Sequence, residues 1–129
     1  MSYVIRDDRC MVEVIFEEQI TYNEYVNAQK EAFNICETKR LSLLHIELHK
    51  AKMKMSTIEL YEIGKSLKKA ELNHISHISI VFKEEDTNVD MLVAVAQTRG
   101  VNVKSFLTRE SAFEWLNIDF EHPINLKSA

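Results

Sequence analysis

Glycine and proline are almost missing from this chain. Two glycines and one proline in 129 residues leave no stretch with the composition of a flexible linker or a low-complexity segment. Gly64 and Gly100 stand alone, so no glycine-rich phosphate loop exists, and no G-x-S-x-G elbow is present. Cysteine is equally scarce. Cys10 and Cys36 are too few for a disulfide framework and lack metal-motif spacing, which reads as two reduced, buried thiols in a cytoplasmic protein. No apolar run approaches the roughly 18 residues that span a bilayer, and the N-terminus has no signal-peptide pattern. No membrane insertion is therefore expected. Excess positive charge is also missing. A net charge of −4 argues against a dedicated nucleic-acid binder, which is usually basic overall. What the chain does have is 46% hydrophobic residues, enough for one core in one domain.

The apolar residues alternate between two periods. Ser2–Arg6 and Cys10–Phe16 read as short strands around a polar Asp7-Asp8 turn, the pattern of an antiparallel hairpin. Tyr22, Tyr25, Val26, Ala32, Phe33 and Cys36 then recur at helical spacing, with Gln29 at the seam. Leu41–Leu48 reads as a strand with Leu44, Ile46 and Leu48 on one side, and Leu60, Ile63, Gly64, Leu67 and Ala70 mark the next helix. Ile75–Phe82 alternates as a strand, and Val89–Arg99 reads as a helix closed by Gly100 at C′. Val101–Phe106 and a helix with Ala112, Phe113 and Leu116 complete the series. Four strand–helix units after a hairpin predict an α/β domain over residues 1–117, with a mostly parallel sheet in sequential strand order.

Sheets covered on both faces have strands that are apolar on both sides. Here the second side carries Glu13, then His45, Glu47 and His49, then His77 and Ser79. The expectation is helices mainly on one face, with the other partly wet. The tail, residues 118–129, contains Ile118, Phe120, Ile124 and Leu126 and is expected to fold over that open face or onto a neighbouring subunit.

Three helix starts share a signature. Thr21-x-x-Glu24, Ser56-x-x-Glu59 and Thr87-x-x-Asp90 place a hydroxyl three residues before an acid, as in a capping box, and Thr108 stands as a cap without an acidic partner. Ahead of Ser56, Lys50, Lys52 and Lys54 alternate with apolar residues and read as an extended loop, its lysines in water and Met53 and Met55 beneath.

The layout resembles the STAS domain, the fold of anti-sigma-factor antagonists and of the cytosolic tails of sulfate transporters. Val93-Ala-Val-Ala-Gln-Thr-Arg-Gly-Val-Asn-Val-Lys-Ser-Phe106 followed by Glu110-Ser-Ala-Phe-Glu-Trp-Leu116 is similar to the ending of small, uncharacterised bacterial STAS-like proteins. The resemblance implies a non-enzymatic cytosolic module that works through protein contacts. It also implies a phosphorylatable serine at the start of the second helix, in the context Asp-Ser-Ser/Thr-Gly. Ser56 and Thr57 stand there, but Met55 replaces the acid and Ile58 the glycine. Helix capping is therefore the first reading of Ser56, and switching the second.

No catalytic residue and no cofactor is assigned. His45, His77 and Glu47 share a face, which reads as a solvated polar surface rather than a metal site. Lys50, Lys52, Lys54, Ser56 and Thr57 form the expected partner- or ligand-binding stretch. The alternative role is a small-ligand binder using the crevice at the carboxyl ends of the strands. The third helix is apolar almost all round, and its Met91–Val95 ridge is expected to face a second copy of the chain in a homodimer.

Overall fold

A computed structural model describes residues 3–8, 10–83 and 87–117, so the expected packing of the tail lies outside the described residues. The order of elements is β1 (Tyr3–Asp7), β2 (Met11–Thr21), α1 (Tyr22–Lys39), β3 (Leu43–Lys54), α2 (Thr57–Ser66), a 3-10 segment (Leu67–Asn73), β4 (His77–Val81), α3 (Thr87–Thr98), β5 (Val103–Phe106) and α4 (Arg109–Leu116). The five strands lie side by side in sequence order, β1 antiparallel to β2 and the others parallel.

Sequential order decides where the helices go. Each parallel connection is expected to be right-handed, so α1, α2 and α3 should fall on one face. That face is the main core. Val12, Val14, Phe16, Leu44, Ile46, Ile78 and Ile80 pack there against Tyr25, Ala32, Ile63, Leu92 and Val93. The helix α4 follows the last strand and returns to none, so handedness does not constrain it. It lies on the other face, where Ala112, Phe113 and Leu116 pack on Met11 and Val81 with Leu43, Phe106 and Trp115 alongside. The expectation of helices mainly on one face holds, and the second face is only partly wet: α4 covers it over Glu13, His45 and Ser79, while His49 and Lys50 stay exposed.

The stretch from His49 to Lys54 is not a loop. It is the second half of β3, paired with β2 out to Thr21 and Lys54. Ile15 pairs with Glu47 but Glu17 pairs with Lys50, so β3 carries one extra residue, a β-bulge. The bulge shifts the alternation by one. Leu44, Ile46 and Leu48 point into the core before it, and Ala51 and Met53 do so after it. Lys50, Lys52 and Lys54 are turned to water on the face that carries His45 and Glu47. A one-residue slip flips every side chain to the other face; without the bulge, three ammonium groups would enter the core.

Thr21 and Ser56 close reciprocal capping boxes with Glu24 and Glu59, and Thr108 Oγ1 accepts from the Ser111 backbone N–H. Thr87 differs from expectation. It is the first residue of α3, one place further into the helix than a cap. Cys36 is buried on α1, and burial pushes its thiol up to about 12. Cys10 is only half-buried, contrary to expectation, with Sγ 3.4 Å from an Asp8 carboxylate oxygen.

The shortage of glycine is visible at the helix ends. Arg40, His74 and Asn117 occupy left-handed C-terminal positions, with φ of 59°, 64° and 64°, where glycine is the usual residue. A side chain there costs roughly 1–2 kcal/mol, partly offset because glycine loosens the unfolded chain. Gly64 is used for a different reason. A Cβ there would stand 2.7 Å from the Leu92 carbonyl oxygen and 2.7 Å from Val95 Cβ, so α2 and α3 touch where a side chain is missing. This contact also places Val95, expected to face a second copy, against α2 of its own chain, and Met91 packs partly buried on the main core.

Arg40→Gly and His74→Gly are each expected to raise stability by about 0.5–1 kcal/mol in chemical denaturation. Gly64→Ala is expected to lower it by about 1–3 kcal/mol through overpacking, despite alanine's better helix propensity. A neutral Gly64→Ala would show that the two helices separate freely.

Candidate functional site

The polar row on the second sheet face is largely buried rather than wet. Glu13 is 5% exposed, and His45 and Ser79 are fully buried. They are cross-strand neighbours in one row, Glu13 beside His45 and His45 beside Ser79, with Glu47 two residues further along β3. Buried polar groups need partners, and the network supplies them. The His45 ring sits 2.7 Å from Ser79 Oγ through Nδ1 and 2.9 Å from Glu47 Oε1 through Nε2. An ionised carboxylate only accepts, so Nε2 carries a proton; in the neutral ring Nδ1 then accepts from the Ser79 hydroxyl.

The charges are closed from above by Arg109, the first residue of α4. One nitrogen, Nη1, donates to both Glu13 and Glu47, the latter at 3.1 Å. Arg6 on β1 donates to the other Glu13 oxygen at 3.0 Å. Two carboxylates thus meet two guanidiniums. Burial on its own drives the Glu13 carboxyl upward; Arg109, then His45 and Arg6, outweigh it and hold the group below its ordinary value. The Arg109 guanidinium is held above its own, because Glu13 and Glu47 outweigh its partial burial.

Aromatic rings complete the seal. Phe113 meets the His45 ring edge-on at 5.0 Å and carries the Arg109 guanidinium over its face at 4.9 Å. Trp115 covers His77 in the same way at 5.1 Å. His77 shares the face with His45 on the neighbouring strand, as expected, but pairs with Leu43, and the partners beside His45 are Glu13 and Ser79. Glu13, His45 and Glu47 bring their donor atoms within 4.8 Å of one another.

Two open clefts flank Arg109. One, of about 320 Å³, is lined by Arg6, Asp8, Met11, Glu13 and Phe113. The other, of about 280 Å³, is lined by Ile15, Glu17, Glu47, His49 and Lys50. Neither is lined by Ser79. The string Ser79–His45–Glu47 has the connectivity of a hydrolase triad, but a fully buried Ser79 presents no nucleophile to a substrate.

The stretch from Lys50 to Thr57 runs away from this cluster, starting with Lys50 at the second cleft. Lys50, Lys52 and Lys54 are exposed along β3, and Ser56 and Thr57 are exposed at the start of α2. Ser56 Oγ accepts from the Glu59 N–H at 3.1 Å, and the Glu59 carboxylate accepts from the Ser56 N–H at 2.9 Å. Sequence reasoning did not single out Ile58 and Tyr61, which are 73% and 41% exposed on the same helix face. Their i, i+3 spacing outside the buried stripe was the available signal. Arg99, just past the end of α3, reaches across to donate to the Tyr61 hydroxyl at 2.8 Å.

The five-stranded sheet in sequential order, with three helices on one face and a short fourth on the other, is a STAS-like fold. No protein-family model matches the chain, and no curated protein matches it. Solved structures do. An uncharacterised protein of the DUF3478 family from Shewanella loihica, described as having a SpoIIAA-like fold, aligns with a TM-score of 0.58 at 13% identity over 89% of this chain and 92% of its own. The anti-sigma factor antagonist SpoIIAA in its unphosphorylated form aligns with a TM-score of 0.58 at 10% identity over 90% of this chain and 98% of its own. At such identities the likeness is one of fold.

Arg109→Ala removes the cation that two carboxylates share and is expected to cost about 2–3 kcal/mol, a discounted value for a buried pair because Arg109 is partly exposed. The acid limb tests the same contact. Glu13 is held low in the folded state, so its contribution is present above the ordinary carboxylate pKa and is lost as pH falls through the folded value. Stability should therefore decline below about pH 4, and less steeply in Arg109→Ala than in wild type. Parallel acid limbs in urea denaturation across pH would refute the pairing.

Proposed function

We propose that the protein is a non-enzymatic binding or regulatory module of STAS type that acts through a protein partner, using the surface at the start of α2. The observation that carries this reading is the exposure of Ile58 and Tyr61 beside Ser56 and Thr57. Isolated exposed apolars are common, but these two share a helix face with a basic rim. Arg99 and Lys65 stand 5.6 Å and 5.4 Å from the Tyr61 ring centre, and Lys50, Lys52 and Lys54 approach along β3. Tyrosine and arginine are the side chains enriched at protein interfaces. A basic rim on a chain of net charge −4 suits a partner with an acidic surface.

Ser56 serves this surface first as a cap. A phosphate on it would meet the Glu59 carboxylate that bonds its own backbone N–H, and Met55 and Ile58 depart from the regulatory context. A second reading, a small-ligand binder, draws not on the crevice at the carboxyl ends of the strands but on a groove of about 850 Å³ between α1 and the end of α2 with its 3-10 segment, lined by Tyr22, Gln29, Phe33, Ser66 and Leu72; its size is in the ordinary range for ligand sites.

Affinity capture from the native host is expected to recover one stoichiometric partner, lost with Ile58→Asp and kept with Lys104→Glu on β5. A partner that survives Ile58→Asp overturns the assignment of this surface. Ser56→Ala is expected to cost about 1 kcal/mol in thermal or chemical unfolding, with Ser56→Asp tolerated. Phosphoserine at position 56 in cells, with altered capture by the Asp variant, would assign Ser56 the switching role instead.

A further inference from the structure

We propose that Glu13, His45 and Glu47 form a binding site for one divalent transition-metal ion, and that Arg109 is the cation that fills it when no ion is bound. This inference does not rest on the partner-binding reading, which centres on Ile58 and Tyr61 of α2.

The donor set is one imidazole and two carboxylates, a combination that suits zinc and its first-row neighbours. The distances are close to those required. Ligands held about 2.0–2.2 Å from a tetrahedral ion stand roughly 3.3–3.6 Å apart. His45 Nε2 is 2.9 Å from the Glu47 oxygen and 4.0 Å from the Glu13 oxygen, and all three donor atoms lie within 4.8 Å of one another, so shifts of about an ångström bring the set into place. All three residues sit on paired strands, β2 and β3, which fix donors better than loops do.

Two further observations point to a cation rather than to a polar core alone. The first is Ser79. Ligating histidines almost always bond a neighbour through the other ring nitrogen, and the Ser79 hydroxyl meets His45 Nδ1 at 2.7 Å. Ser79 both donates and accepts, so it also supports the tautomer in which Nε2 offers its lone pair to a metal. The second is Arg109. A single nitrogen of its guanidinium bonds both carboxylates, so one positive centre already stands where a shared ion would stand. Its helix is eight residues long, and Arg109 borders both clefts, of about 320 Å³ and 280 Å³. The side chain has room to swing aside, and water from the clefts can supply the remaining ligands. A doubly charged ion then replaces a singly charged group between two carboxylates.

Isothermal titration of the full chain with Zn²⁺ tests this, with Co²⁺ absorption as a report on coordination. Wild type is expected to bind one ion per chain. Glu47→Gln should weaken binding at least tenfold, and His77→Ala should leave it unchanged. Arg109→Gln should tighten it at least tenfold, because the competing cation is gone; a purely structural network predicts no such gain. Folding of each variant is checked by circular dichroism. Should Arg109→Gln not fold, wild type and Glu47→Gln decide the matter: no saturable one-to-one binding by wild type, or binding that survives Glu47→Gln, overturns the proposal.

Discussion

A helix can lie on a polar sheet face only if it brings the charge that the face lacks. Glu13 and Glu47 rise from β2 and β3 with His45 between them, and every water removed from above them leaves negative charge uncompensated. Arg109 meets this requirement with one guanidinium nitrogen bonded to both carboxylates. The position is unfavourable for a cation in one respect. Arg109 is the first residue of α4, and positive charge at a helix N-terminus opposes the helix dipole by about 0.3–1 kcal/mol. The pairing and the apolar contacts of Ala112, Phe113 and Leu116 act against this cost. Once the charge is settled, Phe113 and Trp115 lie edge-on to the two histidines, and Leu116 packs with Met11 and Val81.

The same sheet face changes character beyond the bulge in β3. On one side of it, His45 and Glu47 point into the covered network; on the other, Lys50, Lys52 and Lys54 point to water. The extra residue near His49 keeps both rows on one face while Leu48, Ala51 and Met53 stay in the core. It lets a single strand supply the floor of a sealed cluster and the basic approach to the exposed start of α2. Extending β2 and β3 past β4, which pairs with β3 only as far as Glu47, carries this approach clear of the helix that covers the cluster.

The main layer was legible because it is written in local periods. The helical stripes, the alternating strands and the boxes at Thr21 and Ser56 each need only a few neighbouring residues. What escaped needed contacts between distant ones. Glu13 and Arg109 are 96 positions apart, and alternation shows that Glu13 shares the second face without showing what covers it. A bulge looks like a loop because both break the alternating pattern. The Met91–Val95 ridge pointed outward from the sheet, and its Val95 end meets the bare backbone at Gly64; a lone glycine inside a helix, in a chain with only one other, was the available sign of a close approach.

Stability alone does not account for so polar a cluster. Buried ion pairs can often be replaced by apolar residues of similar volume at no loss, and α4 already has apolar contacts around Phe113 and Leu116. What the polar set adds is discrimination between registers. If α4 slid by one turn, Phe113 would stand over the carboxylates and Arg109 would leave them, so both would lose the cation that they share. An apolar patch would tolerate that slip far better, because hydrophobic burial is non-directional. Glu13, His45 and Glu47 therefore fix where the short helix sits as well as that it binds, and a set of donors held that firmly by paired strands is also a geometry that a cation can recognise.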